Sequence, residues 1–211
     1  MKVLDLFTGT HSVAKVCKEK DYDVISLDLE GADININILD WNYKEYPVGY
    51  FDIIFASPPC HTFSRLRDCH IGRKLINIFG DEIVTREMLH NDMINNGLPL
   101  LRKTQEIIEY FNPDLWFIEN PQTGRMKNYL EYVPYYDVDY CMYSDWGYRK
   151  RTRIWTNKKD FIPLKCCNDC DNMLNGKHRV NMANAFGGGN NKKNLRLKYR
   201  IPPKLIDALI S

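Results

Sequence analysis

Long apolar runs are missing from this 211-residue chain: none approaches the roughly 18 residues that a membrane-spanning helix requires. The opening residues also lack the layout of an export signal, so an intracellular setting is expected, cytoplasmic with the nucleus left open. There is no internal repeat and no true low-complexity tract. The nearest approach is Gly187-Gly188-Gly189-Asn190-Asn191-Lys192-Lys193, which reads as a basic loop. Apolar residues make up 44% and charged residues 27%, which excludes wholesale disorder and suits one domain with a real core. The seven cysteines are an odd number in a chain without an export signal. They point to free thiols, a reactive thiol or metal ligands, not to a disulfide framework.

Charge is balanced overall but unevenly spread. Residues 1–110 carry 12 Lys/Arg against 17 Asp/Glu, and residues 111–211 carry 17 against 10. The basic second half suits a polyanionic partner.

The element pattern begins with Val3-Leu4-Asp5-Leu6-Phe7, a buried strand broken by Thr8-Gly9-Thr10. Val13, Val16 and Cys17 then recur at helical spacing over Ser12 to Lys20, and Asp23 to Asp28 is a second strand ending in a carboxylate. Phe51 to Ala56 is a further strand running into Ser57-Pro58-Pro59-Cys60. A helix is expected over Leu98 to Phe111, then a strand over Asp114 to Ile118 that ends at Glu119-Asn120-Pro121. Tyr136 to Met142 and Arg153 to Thr156 read as a strand pair turning at Asp145-Trp146-Gly147, and Pro203 to Ile210 as a short terminal helix. The fold class expected is α/β, a doubly wound, mostly parallel sheet with ligands at the carboxyl ends of its strands.

Chemistry gathers at those strand ends. A glycine after the first strand lets a ligand approach the backbone, and Asp28 can accept hydrogen bonds from ribose hydroxyls. Dinucleotide and S-adenosylmethionine folds share this geometry, but His11 stands where the dinucleotide fingerprint needs its second glycine. Pro58 and Pro59 fix a stiff turn that projects the Cys60 thiol into the crevice, where nearby cations can make it a nucleophile. Glu119 at a neighbouring strand end can hydrogen-bond a ligand. Arg149, Arg151 and Arg153 alternate, so they share one strand face and offer a partner for an anionic group.

Together these segments resemble the cytosine carbon-5 DNA methyltransferases. Asp5-Leu6-Phe7-Thr8-Gly9-Thr10 resembles the family's cofactor loop, Ser57-Pro58-Pro59-Cys60 its proline–cysteine motif, and Glu119-Asn120-Pro121 its Glu-Asn-Val element. Arg151-Thr152-Arg153 is similar to its Arg-x-Arg, and Ile201-Pro202-Pro203-Lys204-Leu205 to its late Pro-Pro segment. The five matches fall in family order. Arg149 stands where the family has glutamine, and the span from Trp155 to Tyr199 is short for its recognition domain.

The resemblance implies a Rossmann-like catalytic domain over residues 1–157, a small recognition lobe over 158–198 and a terminal helix over 199–211 returning to the main domain. It implies methyl transfer from S-adenosylmethionine to carbon 5 of cytosine in DNA through a covalent Cys60 adduct. Glu119 would hold the base, and Arg151 and Arg153 would orient it. Phe7, Gly9, Thr10, His11, Ser12, Asp28, Ile38, Ser57 and Pro58 would bind the cofactor. Arg65, Arg149, Lys150, Lys192 and Lys193 would meet nucleic acid, and the stretch after Cys60 with His61, Arg65 and Arg67 would close over the base. A catalytically impaired nucleic-acid-binding or regulatory module and an RNA cytosine methyltransferase stay open as alternatives. No membrane partner is expected, and the chain is expected to be a monomer. Separately, Cys166, Cys167, Cys170 and His178 fall close together and suggest a structural zinc ion stapling the lobe.

Overall fold

The apolar run after Met1 forms β1 (Lys2–Leu6), an inner strand of a seven-stranded sheet. The computed structural model describes residues 1–181 and 197–211, so the expectations for Lys192 and Lys193 lie outside the described residues. Strands β2 (Asp23–Asp28), β3 (Ile34–Asn35), β4 (Ile53–Ala56) and β5 (Leu115–Pro121) run parallel to β1. Strands β6 (Tyr135–Asp139) and β7 (Arg151–Thr156) finish one edge antiparallel, and the order is β3-β2-β1-β4-β5-β7-β6. The order reverses between β1 and β4, which opens a crevice beyond their carboxyl ends.

Parallel neighbours need crossovers, and these supply the covering helices. Helix α1 (Ser12–Glu19) joins β1 to β2. Between β4 and β5 come α2 (Ile76–Phe79), α3 (Arg86–Asp92) and α4 (Leu98–Phe111), and α5 (Pro203–Ile210) ends the chain. Side-chain alternation along β1 divides the core. Val3 packs with Val13, Val16, Leu205 and Leu209 of α1 and α5, whereas Leu4 and Leu6 pack with Leu101, Ile107 and Phe111 of α4. Asp5 falls on the Val3 face by the same parity and is buried there.

The doubly wound expectation holds, with differences at the edges. Strand β5 continues through Glu119 and Asn120 to Pro121, because β7 pairs with it along that length. Glu119 therefore sits inside the strand, two residues before its end. Strand β6 stops at Asp139, and Tyr140–Met142 is a tight helical turn where strand was expected. A π turn over Met93–Gly97 widens the junction of α3 and α4. It presses bare backbone against the segment after Cys60, since a Cβ on Gly97 would run into the Thr62 hydroxyl. A small hairpin, β8 (Met173–Leu174) and β9 (Lys177–His178), stands apart from the main sheet.

Candidate active site

A cavity of about 330 Å³ opens at the carboxyl ends of β1, β4 and β5. One half is lined by Phe7, Thr8, Gly9 and Asp28, the other by Cys60, His61, Glu119, Lys150 and Tyr199, with Ser57, Pro58, Pro59 and Pro121 between.

The first half is built from a contorted loop. Phe7, Gly9 and His11 all take positive φ, at 60°, 49° and 56°, a region that favours glycine. The loop holds that shape because it is tied down. The Phe7 N–H donates to the Leu27 carbonyl (2.8 Å), and the Thr8 hydroxyl donates to Asp5 Oδ2 (2.6 Å). Burial pushes the Asp5 carboxyl up from 3.8 to about 7, and the Thr8 bond eases that rise only in part. Asp28 is aimed in turn by two backbone donors, Gly9 N–H to Oδ2 (2.9 Å) and Leu29 N–H to Oδ1 (2.7 Å). Each carboxylate oxygen keeps a further lone pair, enough for a pair of ribose hydroxyls.

The second half is where bonds can be made. The Cys60 turn is anchored at its first two residues: the Ser57 N–H donates to the Leu6 carbonyl (3.1 Å), and Asn120 Nδ2 donates to the Pro58 carbonyl (2.9 Å). Asn120 is itself buried, so it fixes the turn rigidly to β5. Burial raises the Cys60 thiol above its ordinary range. Lys150 opposes that shift, and Glu119 adds to it. Glu119 Oε1 accepts from Tyr140 Oη (2.9 Å) and from Lys150 Nζ (3.3 Å). Both contacts fall on one oxygen, and Oε2 has no partner among the described residues. Lys150 Nζ also lies 4.8 Å from the centre of the Tyr140 ring, which stabilises its charge in a largely buried position.

No protein-family model matches the sequence. A curated relative from Frog virus 3 (isolate Goorha), described as a probable DNA (cytosine-5)-methyltransferase, is 43% identical over 219 aligned positions. The alignment takes in 100% of this chain and 99% of the relative. The chain belongs to the DNA (cytosine-5)-methyltransferase family. A solved methyltransferase from Entamoeba histolytica shares its fold, with a TM-score of 0.52 at 13% identity. That match covers 78% of this chain and 56% of the other, so this DNA (cytosine-5)-methyltransferase chain spans little more than half of that protein.

S-adenosylmethionine is the methyl donor of cytosine-5 methyltransferases, and the first half of the cavity fits it. Asp28 offers ribose acceptors, Gly9 leaves the backbone bare, and Ser57 and Pro58 lead from there to the thiol. Of the cofactor residues expected from the sequence, Phe7, Gly9, Asp28, Ser57 and Pro58 line the cavity. Thr10, His11, Ser12 and Ile38 do not. Thr10 and Ser12 hydroxyls bond each other (2.7 Å), His11 opens α1, and Ser12 Oγ accepts from the Ile201 N–H (3.1 Å). Ile38 is buried among the core side chains of the α4 face.

The two arginines expected beside the thiol are elsewhere, for a reason of register. In the β5–β7 pairing Glu119 stands opposite Ile154, and Arg153 stands opposite Asn120. Directly opposed residues share a face, so Arg151 and Arg153 lie on the face away from Glu119. There each makes a two-pronged ion pair with its cross-strand partner on β6. Arg151 binds Asp139 (3.0 and 2.9 Å) and Arg153 binds Asp137 (2.7 and 2.9 Å). One residue back, Lys150 has the parity of Ile154 and faces the cavity. It was expected on phosphate; its burial and its bond to Glu119 correct that reading. Tyr140, directly hydrogen-bonded across to Lys150, was not singled out in the sequence at all.

Arg65 and Arg149 are exposed, as a nucleic-acid contact requires. Arg67 is not: it is buried and paired with Asp92 at 2.6 Å. Among the suspected metal ligands, Cys166, Cys170 and His178 converge, but Cys167 is exposed. Buried Cys141, from the turn after β6, takes the fourth corner.

Proposed function

We propose that this chain methylates carbon 5 of cytosine in DNA through a covalent bond between Cys60 and carbon 6 of the base. The observation that carries the reading is the convergence of Cys60, Glu119 and Lys150 on one cavity with the Asp28–Gly9 ribose site. S-adenosylmethionine supplies a methyl group on a positively charged sulfur. Carbon 5 of cytosine is too weak a nucleophile to take it unaided.

Lys150 favours the thiolate of Cys60, and the anchored Pro58–Pro59 turn directs it at carbon 6. As the sulfur–carbon bond forms, the electron pair of the 5,6 double bond moves toward carbon 5 and ring nitrogen 3. Glu119, with Oε1 held by Tyr140 and Lys150, turns Oε2 to the base; in its acid form it donates the Oε2 proton to ring nitrogen 3, which neutralises that charge. Carbon 5 takes the methyl group as the sulfur–methyl bond breaks and leaves a neutral thioether; ring nitrogen 3 returns its proton to Glu119, and the carbon 5 proton passes to water. The 5,6 double bond re-forms and expels Cys60 as thiolate, which leaves the chain unchanged.

A base stacked in a duplex cannot reach Cys60, so it must leave the stack at a cost of a few kcal/mol. Exposed Arg65 and Arg149 suit the flanking phosphates. Incubation with methyl-labelled S-adenosylmethionine and duplex DNA, followed by nucleoside analysis, should find the label in 5-methylcytosine. Label on the exocyclic amine, or only in RNA offered alongside, would contradict the proposal.

A further inference from the structure

Away from the active-site cavity, Cys141, Cys166, Cys170 and His178 bring three sulfurs and a ring nitrogen within 4.8 Å of one another. We propose that these four side chains bind one Zn²⁺ ion in a closed tetrahedral site. The ion fastens the segment of residues 166–178 to the turn that follows β6.

The spacing is that of a coordination shell. Zinc bonds of about 2.3 Å to sulfur and about 2.0 Å to nitrogen place tetrahedral ligands about 3.8 Å apart for two sulfurs and about 3.5 Å for sulfur and nitrogen. Cys166 Sγ lies 3.6 Å from Cys170 Sγ and 3.6 Å from His178 Nε2, and Cys170 Sγ lies 3.5 Å from His178 Nε2. Three edges of the tetrahedron are thus already at length. None is near the roughly 2.05 Å of a disulfide. All four corners are protein ligands, so no position stays open for water, and the site is structural and not catalytic.

The backbone around the ligands is set independently of any ion. The Cys166 N–H donates to Asp139 Oδ2 (3.0 Å), and the Asn168 N–H points at Cys166 Sγ (3.3 Å), as an outer partner of a bound thiolate does. Buried Asn172 clamps the segment to the turn: its Nδ2 donates to the carbonyls of Cys141 (2.8 Å) and Ser144 (2.7 Å), and its Oδ1 accepts from the Gly147 N–H (2.9 Å). The β8–β9 hairpin then returns His178 to the cluster.

The segment also needs a staple. Of the apolar side chains in residues 166–178, only Cys166 is buried, too little core to hold a lobe. Cys141 directly follows Tyr140, whose hydroxyl holds Glu119, so the ion would tie the lobe to the strand end that shapes the active site.

The test is metal analysis of the full chain, purified reduced and without chelator, supplied with zinc and then desalted. About one equivalent should remain bound. Cys141→Ser should lose it, whereas Cys167→Ser should keep it. If Cys141→Ser does not fold, cobalt offered to the wild type should give the visible spectrum of a tetrahedral thiolate site, and zinc should abolish it. A folded wild type that keeps no zinc and shows no such cobalt spectrum would overturn the proposal. So would a metal-free chain with Cys166 and Cys170 in a disulfide, or full zinc retention in Cys141→Ser.

Discussion

Lys150 is the residue whose role changes most between sequence and structure. Its ammonium lies 3.3 Å from Glu119 and counters the burial that suppresses the Cys60 thiolate. Removing the charge raises the thiol further, so the rise of activity with pH must move to higher pH. Lys150→Met should therefore shift the pH profile of kcat/KM upward. It should also cost about tenfold or more near neutrality, the equivalent of about 1.4 kcal/mol. Lys150→Arg keeps the charge and should keep the profile. An unmoved profile in Lys150→Met would assign the lysine to packing alone. Cys60, the proposed nucleophile, was legible because two prolines at a strand end leave few other roles for it, and Asp28 because it ends the next strand. Lys150 was hidden in a basic run where every second residue faces the other way.

At the scale of elements, that run shows what periodicity delivers and what it leaves open. Alternation groups Arg151 with Arg153, but only the register against β5 says which face they take, and register is a property of two strands. The arginines hold β6 against β7 through Asp139 and Asp137. Replacing the Arg153–Asp137 pair together with Met and Leu leaves no unpaired buried charge, so folding should survive. The double variant should keep kcat within a few-fold of wild type. A loss on the scale of a missing general acid, about 10²–10⁴-fold, would return Arg153 to the active site. The long apolar strands and α4 could be read from sequence because their burial is continuous. The π turn could not, and its close approach of Gly97 to Thr62 is made across the fold. The β8–β9 hairpin did carry a signal, Asn175-Gly176 with both residues at positive φ, as the tight hairpin turn demands.

Across the whole molecule, one sheet carries both halves of the site, and one of its inner strands contains a carboxylate on the hydrophobic α1 face. Asp5 binds its proton more tightly folded than unfolded, with its carboxyl pushed from 3.8 up to about 7. Through this group the fold is most stable at low pH and loses stability as pH rises between those two values, by up to about 1.4 kcal/mol per pH step. Above pH 7 the loss is complete and constant. Asp5→Asn keeps an acceptor for the Thr8 hydroxyl and removes the titration. Urea midpoints of the variant should gain on those of wild type across that window, and parallel curves would contradict this account. Stability, however, is secondary to the central claim, that Cys60 attacks carbon 6 of a cytosine held by Glu119. Duplex DNA containing 5-fluorocytosine tests it most directly, because fluorine cannot leave carbon 5 as a proton does and the adduct cannot resolve. With S-adenosylmethionine present, wild type should give a protein–DNA species stable to denaturation, with the mass of the methylated adduct on the peptide carrying Cys60, and Cys60→Ser should give none. An adduct that persists in Cys60→Ser, or wild-type protein that never forms one while methylating ordinary cytosine, would contradict the mechanism.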